Sequence, residues 1–464
     1  MSERFDAIVI GTGQAAPALA ARLDREGLST ALVERRLLGG TCVNTGCIPT
    51  KTLVASARAA QIARRGADFG FTAGEVRIDM AAVKRRKDAV VKQSSDGLAD
   101  WIKAMKHVTL VSGQARFSAP PTLDVDGRTL QAERVFINVG GRALVPDLPG
   151  IRDVPFFTNS SIMDVDFVPE HLVIIGGSYI GLEFAQMYRR FGARVTVVEM
   201  APKLLAREDS DVAQEIRAIL EREGVAIRTG AECLQLQRKG DGVAVGVACE
   251  TGAPVVEGSH VLLAVGRVPN THDLGLAAAG VETDERGYIK VDDGLRTSAE
   301  GVWALGDANG RGAFTHTSYN DYEIVAANLF DGGRRRVADR IPAYALFIDP
   351  PLGRAGMNER EARASGRRVL AGRMPMARVG RAREAGETHG FMKVLADAES
   401  KALLGASLLG LNADEIVHSL LDLMYAGAPY TVLQRAVHIH PTVSELVPTL
   451  IGNLKPLEAP LQSR

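Results

Sequence analysis

Apolar residues in this chain gather in short unbroken runs, and two of those runs stop at Gly-rich turns. Residues 6–10 lead into Gly11-Thr12-Gly13-Gln14-Ala15-Ala16-Pro17, then a helix-period stretch to Glu26, then a second apolar run, 29–34, closed by Glu34. Residues 171–175 lead into Gly176-Gly177-Ser178-Tyr179-Ile180-Gly181, a helical stretch through Phe191, and the run 193–199 closed by Glu199. Short apolar runs bounded by turns read as strands buried on both faces, as in a parallel sheet. Each segment therefore predicts strand, turn, helix and strand, the βαβ fingerprint of a dinucleotide site.

The physics is common to both copies. Gly11, Gly13, Gly176 and Gly181 let backbone approach a pyrophosphate whose charge sits on a helix N-terminus. Glu34 and Glu199 can each take a ribose hydroxyl pair. Both copies are imperfect: Ala16, followed by Pro17, replaces a third glycine, and Ser178 replaces a second.

Further along, alternating runs between Gly224 and Gly266, such as 243–249, predict β-structure. A buried strand ends on Gly306-Asp307, and a helix is expected to start near Thr315. From Ala345 the pattern changes to strands around 390–409 and helices through 416–425. The reading is an α/β chain with two Rossmann-like, doubly wound nucleotide-binding domains and a C-terminal α+β domain. The expected boundaries are 1–150 and 271–344 for the two parts of the first nucleotide domain, 151–270 for the second, and 345–464 for the last.

Length agrees with this division, since 464 residues exceed one core. Lys plus Arg equals Asp plus Glu at 55 each, so no global field draws the chain to nucleic acid or anionic membrane. No apolar run reaches a membrane span, and Met1 to Asp6 is too short and polar for a signal peptide. The expected compartment is the cytoplasm.

Only four cysteines occur, at 42, 47, 233 and 249. That is too sparse for a disulfide scaffold. Cys42 and Cys47 stand in Gly39-Gly-Thr-Cys-Val-Asn-Thr-Gly-Cys-Ile-Pro-Thr-Lys51, directly after the first fingerprint acid. Five residues along a regular helix separate Cα atoms by roughly 8–9 Å, whereas a disulfide needs about 4.4–6.8 Å. The segment must turn or distort, and Gly46 and Pro49 suit that. A helix N-terminus with Lys51 close by would favour thiolate. Three readings compete: a zinc half-site, which would need two more soft ligands; a structural disulfide, which the compartment disfavours; and a redox pair beside a bound dinucleotide, which fits its neighbours. Cys233 and Cys249 read as small buried hydrophobes.

With these motifs in order, the chain resembles the pyridine nucleotide-disulfide oxidoreductases, a family that includes dihydrolipoamide dehydrogenase, glutathione reductase and mercuric reductase. The Cys-x-x-x-x-Cys-x-Pro segment, Gly-Gly-x-Tyr-Ile-Gly-x-Glu, residues 264–270, Thr297 to Asp307 and His438-Ile-His-Pro-Thr-Val-Ser-Glu445 follow the family's sequence. The resemblance implies that the first fold holds FAD, with Glu34 on the ribose, Thr41 near the pyrophosphate, Ala115 at the adenine and Gly306-Asp307 on the ribityl chain. Thr315 and His316 would begin a helix aimed at the flavin's pyrimidine end. The second fold, followed by Gly266, would hold the nicotinamide cofactor. Lys51 would approach the flavin and pair with Glu183, and Tyr179 would be an aromatic gate that moves when nicotinamide binds.

The same resemblance makes Cys47 the thiol that faces the flavin as a charge-transfer thiolate, and Cys42 the interchange thiol. His440 would serve as acid/base, oriented by Glu445, while His438 is as readily structural. The C-terminal domain would form a homodimer in which the histidine serves the partner's cysteines. No resident metal is implied.

Glu199 favours a ribose 2′-OH over a 2′-phosphate, so NADH is expected in preference to NADPH, with Lys203 and Arg207 softening the preference. For the acceptor, the tail from Val447 carries no cysteine, unlike mercuric reductases with a C-terminal pair. A small disulfide is the first expectation, as in dihydrolipoamide dehydrogenase. The turn Gly-Thr-Gly-Gln-Ala-Ala-Pro keeps a Cu(II) or Hg(II) reductase as the second. A flavoprotein component of a multienzyme complex is a third, and a thiol-independent quinone or oxygen reductase a weaker fourth.

Overall fold

A computed structural model describes residues 2–119, 121–248 and 252–458. The first apolar runs form a parallel sheet: β1 (Glu3–Ile10), β2 (Thr30–Glu34), β3 (Val108–Ser112) and β6 (Arg128–Ile137) in the order β3-β2-β1-β6. An antiparallel flap, β4 (Ala115–Ala119) and β5 (Thr122–Val125), extends it beside β6. A short strand from much later in the chain, β16 (Val302–Ala304), also joins β6 in parallel. Residues of the first sheet are therefore drawn from both sides of the second nucleotide unit.

Helix α1 (Ala16–Arg25) covers one face of this sheet. After β2 come α2 (Gly40–Asn44), α3 (Cys47–Arg64) and the long α4 (Met80–Lys103), whose N-cap Asp79 accepts from Ala82 N at 2.9 Å. The strand β7 (Gly141–Ala143) pairs with β15 (Arg267–Pro269), linking the chain on either side of the second unit.

That unit has four parallel strands in the order β10-β9-β8-β14: β8 (His171–Ile175), β9 (Arg194–Val198), β10 (Val225–Arg228) and β14 (His260–Leu263). Helices α5 (Tyr179–Phe191) and α6 (Ser210–Arg222) connect them. A separate antiparallel sheet, β11 (Glu232–Lys239), β12 (Gly242–Ala248) and β13 (Val255–Gly258), supplies the alternating runs. Cys233 is half-buried in β11 against that sheet's core, and Cys249 lies outside the described residues.

Helix α7 (Thr315–Phe330) starts where expected. The C-terminal region is one antiparallel sheet, β17-β18-β21-β20-β19-β22, built from β17 (Ala343–Leu346), β18 (Leu352–Gly356), β19 (Val369–Pro375), β20 (Phe391–Asp397), β21 (Leu403–Leu409) and β22 (Lys455–Pro456). Every residue of β20 and β21 is buried. The helices α8 (Glu359–Ala364), α9 (Gly380–Glu384), α10 (Ala413–Tyr425), α11 (Thr431–Arg435) and α12 (Val447–Gly452) flank it. No described helix is long and apolar enough to cross a membrane.

Candidate active site

The two Gly-rich turns share a construction. Each fingerprint acid folds back to hold its own turn. Glu34 Oε2 accepts from Thr12 N at 3.0 Å and Thr12 Oγ1 at 2.6 Å, while Oε1 accepts from Arg36 N at 2.9 Å. Glu199 Oε2 accepts from Gly177 N at 2.6 Å and Oε1 from Ala201 N at 2.7 Å. At Gly11, φ is +90° and a Cβ would lie 2.4 Å from Asn138 O; at Gly176, φ is +112° and a Cβ would lie 2.4 Å from Ala264 O. The replaced glycines are explained by position. Ala16 and Pro17 occupy the first turn of α1, where no intrahelical donor is required. Ser178 is the extended N-cap of α5, with φ −105° and ψ −172°, so it needs no glycine.

Other nucleotide-site candidates gather around the first turn. A Cβ on Gly13 would meet Asn138 Oδ1 at 2.9 Å, and one on Gly40 would meet Gly13 Cα at 3.0 Å. Asn138 Nδ2 donates to Leu305 O at 3.0 Å, but its buried Oδ1 has no partner. Thr41 Oγ1 lies 3.5 Å from both Gly141 O and Arg267 Nη2. Gly306, with φ +70°, donates its N–H to the buried Asp321 at 2.8 Å. Beside it, Asp307 Oδ2 lies 3.6 Å from Arg267 Nη2, and burial pushes its carboxyl above the usual range. Ala115 opens β4 and is buried opposite Val125. Gly266, at φ +132°, faces open space, and its carbonyl accepts from Leu144 N at 2.9 Å.

The cysteine segment does break. Helix α2 ends at Asn44, Thr45 and Gly46 interrupt it, and Cys47 begins α3. Gly46 makes the break; a Cβ there would sit 2.8 Å from Thr41 O. Pro49 does not contribute as expected, because it lies in the first turn of α3, which tolerates proline. Both cysteines are free thiols, Cys42 half-buried and Cys47 exposed. The adjoining Cys42 thiol lowers Cys47 to about 6, aided by Thr315 and Lys51 and opposed by burial and Glu183. The adjoining Cys47 thiol and burial push Cys42 well above the usual thiol range. The two thiols therefore titrate as a pair, in which the thiolate is favoured on Cys47 over Cys42.

Around Cys47 the partners come from four segments. Thr315 Oγ1, at the start of α7, is 3.2 Å from its sulfur. Lys51, one turn along α3, reaches Glu183 at 2.7 and 3.0 Å, and its ammonium lies 4.6 Å from the Phe347 ring centre. Glu183 is buried and also accepts from Phe347 N at 3.0 Å. His316 Nε2 meets Ala343 O at 2.7 Å. Tyr179, first residue of α5, packs edge-on against Phe314 and Tyr344 at 6.3 and 5.3 Å between ring centres.

His440 is not brought to this cluster within its own chain: among the described residues no hydrogen bond joins it to either thiol. Its Nδ1 is 2.6 Å from Glu445 Oε2, and its side chain is 81 % exposed. Its neighbours Val437 and Ile439 are 99 % and 79 % exposed. His438 turns inward, with Nδ1 2.5 Å from Ser444 O, which accords with a structural role. Sequence reading missed Asn138, Asp321, Phe347, Tyr344 and Glu208, none of which sits in a motif.

Comparison with known proteins agrees with this arrangement. Residues 5–321 match the pyridine nucleotide-disulphide oxidoreductase model, and residues 342–451 match the dimerisation domain of the same group. The chain is 36% identical over 464 residues to the probable pyridine nucleotide-disulfide oxidoreductase RclA of Escherichia coli, covering 97% of this chain and 100% of that one. It is 35% identical to a dihydrolipoyl dehydrogenase of Thermus scotoductus, with 95% of each covered, and 32% identical to a mercuric reductase of Streptomyces lividans, with 95% and 94% covered. A solved structure described as the Cu(II) complex of HOCl-induced flavoprotein disulfide reductase RclA from Escherichia coli superposes with a TM-score of 0.88 at 35% identity, over 96% of this chain and 99% of that chain. Paired nucleotide folds, a thiol couple at a helix start and a matched dimerisation region thus converge, and the chain belongs to the FAD-dependent pyridine nucleotide-disulphide oxidoreductase family.

Proposed function

We propose that this enzyme takes electrons from NADH and delivers them through Cys47 and Cys42 to a small disulfide. The observation that carries the reading is the asymmetric thiol pair, with Cys47 held at about 6 beside Thr315 and Lys51 and Cys42 held protonated.

The first fold fits FAD. Its close-packed turn leaves no room for a Cβ at Gly11 or Gly13, and the orphaned Asn138 Oδ1 supplies an uncommitted acceptor. Glu34, Thr41, Ala115, Gly306, Asp307 and Thr315 would hold it, and Gly176, Gly181, Glu199 and Gly266 would hold the nicotinamide cofactor, with Tyr179 as the gate before it. When bound, FAD supplies hydride acceptance and two-electron transfer to a disulfide. Lys51, fixed by Glu183, keeps positive charge beside the Cys47 sulfur.

The remaining steps belong to the side chains. A base removes the Cys42 proton, and the thiolate attacks one sulfur of the acceptor, breaking its S–S bond and releasing one thiolate. Cys47 then attacks the Cys42 sulfur, closing the internal disulfide and releasing the second thiol. His440, oriented by Glu445, is the base and afterwards the proton donor. Its exposure on a tip with Val437 and Ile439 supports a homodimer in which the tip enters the partner's thiol cleft.

Cu(II) is a second reading, favoured by the Cu(II) complex reported for RclA and by two free thiols that suit the soft Cu(I) product. Anaerobic NADH oxidation with lipoamide or Cu(II) separates the two. Lipoamide turnover that vanishes in Cys42→Ser, and falls about 10²–10⁴-fold in His440→Ala, is expected. No lipoamide turnover with Cys42-dependent Cu(II) reduction would replace it with the metal reading.

A further inference from the structure

Glu208 is 3 % exposed, and no step above uses it. Its Oε1 accepts two phenolic protons, from Tyr179 at 3.1 Å and from Tyr344, while Oε2 has no partner. A buried carboxylate with one doubly loaded and one idle oxygen is a costly arrangement, so the tyrosines are its principal compensation.

The loop carrying Glu208 is tied to three parts of the protein. Leu205 N donates to Gly177 O at 3.0 Å, and a Cβ on Gly177 would sit 2.6 Å from Leu204 Cδ2, so the loop abuts the second Gly-rich turn. Asp209 Oδ1 accepts from Glu359 N at 2.9 Å, and Asp209 Oδ2 lies 2.9 Å from the buried Lys393, which fixes the loop to the C-terminal sheet. Glu208 itself reaches α5 through Tyr179 and β17 through Tyr344.

Tyr179 and Glu183 are one turn apart on the same face of α5. Glu183 grips Lys51, and Lys51 is one turn from Cys47 on α3. Tyr179 opens α5 just after the second Gly-rich turn, and its ring packs edge-on against Tyr344 and against Phe314, the neighbour of the Thr315 that touches Cys47.

We propose that Glu208 is a latch that holds Tyr179 across the path from the second Gly-rich turn to Cys47, and that Tyr344 weakens the latch by sharing the same oxygen. The idea rests on the reading that a nicotinamide ring enters along that path. Opening requires the Tyr179–Glu208 bond to break, while Tyr344 keeps Glu208 partnered in the open state. Apparent affinity for any ligand with a nicotinamide ring is then reduced by the fraction of molecules that are open. ADP-ribose, which lacks that ring, is indifferent to the latch. Glu208 and Tyr344 are thus positioning residues acting through Tyr179.

Calorimetric titration of flavin-loaded enzyme with ADP-ribose and with a redox-inert tetrahydronicotinamide analogue of NADH tests this. Tyr179→Phe and Glu208→Gln are each expected to tighten the analogue about tenfold, with the double variant no tighter than either single one. Tyr344→Phe is expected to weaken it about threefold, and ADP-ribose should bind all forms alike. Unchanged analogue affinity in Tyr179→Phe, additive effects in the double variant, or equal shifts with ADP-ribose would overturn the latch. Binding of neither ligand to the unaltered enzyme would overturn the nicotinamide reading itself, and the latch with it. Should Glu208→Gln fail to fold, Tyr179→Phe decides alone, because it leaves Glu208 its Tyr344 partner.

Discussion

The two nucleotide units share strand, turn, helix and a returning acid, yet they spend their tightest contacts differently. In the first, the turn presses outward: Gly11 and Gly13 abut Asn138 on the neighbouring strand's exit, and Gly40 closes on Gly13. Ala16 opens α1 and donates its N–H to Gly13 O at 3.0 Å, so this turn carries a Cβ where the second has Gly181. In the second, the helix presses inward on its own turn, and a Cβ on Gly181 would lie 2.1 Å from Gly176 O. Its outer side is met by Leu204 and the loop that carries Glu208. The first turn is thereby welded to the chain's own cysteine segment, which begins at Gly39. The second is left facing a loop and a tyrosine held by Glu208. A permanent cofactor suits the first construction, and a ligand that comes and goes suits the second.

Crossed glycine substitutions would break this comparison most severely. Gly11→Ala combines a left-handed φ with a backbone clash and should cost about 2–4 kcal/mol. It is expected to yield protein without flavin absorbance. Gly176→Ala carries a similar strain but should keep its flavin while losing nucleotide binding in titrations. Loss of flavin from both variants alike would erase the distinction between the units.

A smaller effect sharpens the role of the first unit. Cys47 at about 6 should make alkylation of the reduced enzyme by iodoacetamide rise through that pH, more than two units below an ordinary thiol. Because the neighbouring Cys42 thiol is the largest cause, Cys42→Ala should move the alkylation midpoint upward. A midpoint near 8.5 in the unaltered protein would remove the basis for a resident thiolate.

The smallest expected change concerns the second acid. Glu199 is pinned by Gly177 and Ala201, so its charge has a fixed place beside the turn. Glu199→Ala should lower the ratio of kcat/KM for NADH to that for NADPH severalfold. An unchanged ratio would assign cofactor choice to other residues.

Much of this was legible in the chain itself, because each βαβ unit is local: apolar runs, turn glycines and returning acid lie within thirty or so residues. The helix start at Thr315 and the break between the cysteines were likewise local, although Gly46 alone makes the break and Pro49 does not. What stayed hidden depends on distant segments. Glu208 and Tyr344 are 136 positions apart, and Asn138 and Leu305 are 167 apart. Neither pair leaves a periodic or motif signal. Lys51 with Glu183, 132 positions apart, was reached only through the family resemblance. His440 shows the other limit, since its proposed partner belongs to a second chain and no single-chain pattern can display that contact.

The most direct test is to add one equivalent of NADH anaerobically to oxidised, flavin-loaded enzyme and count alkylated cysteines by mass spectrometry. Two new thiols, at Cys42 and Cys47 and in proportion to NADH consumed, are predicted. NADH consumption with the flavin reduced and no thiol gained at either position would contradict the relay.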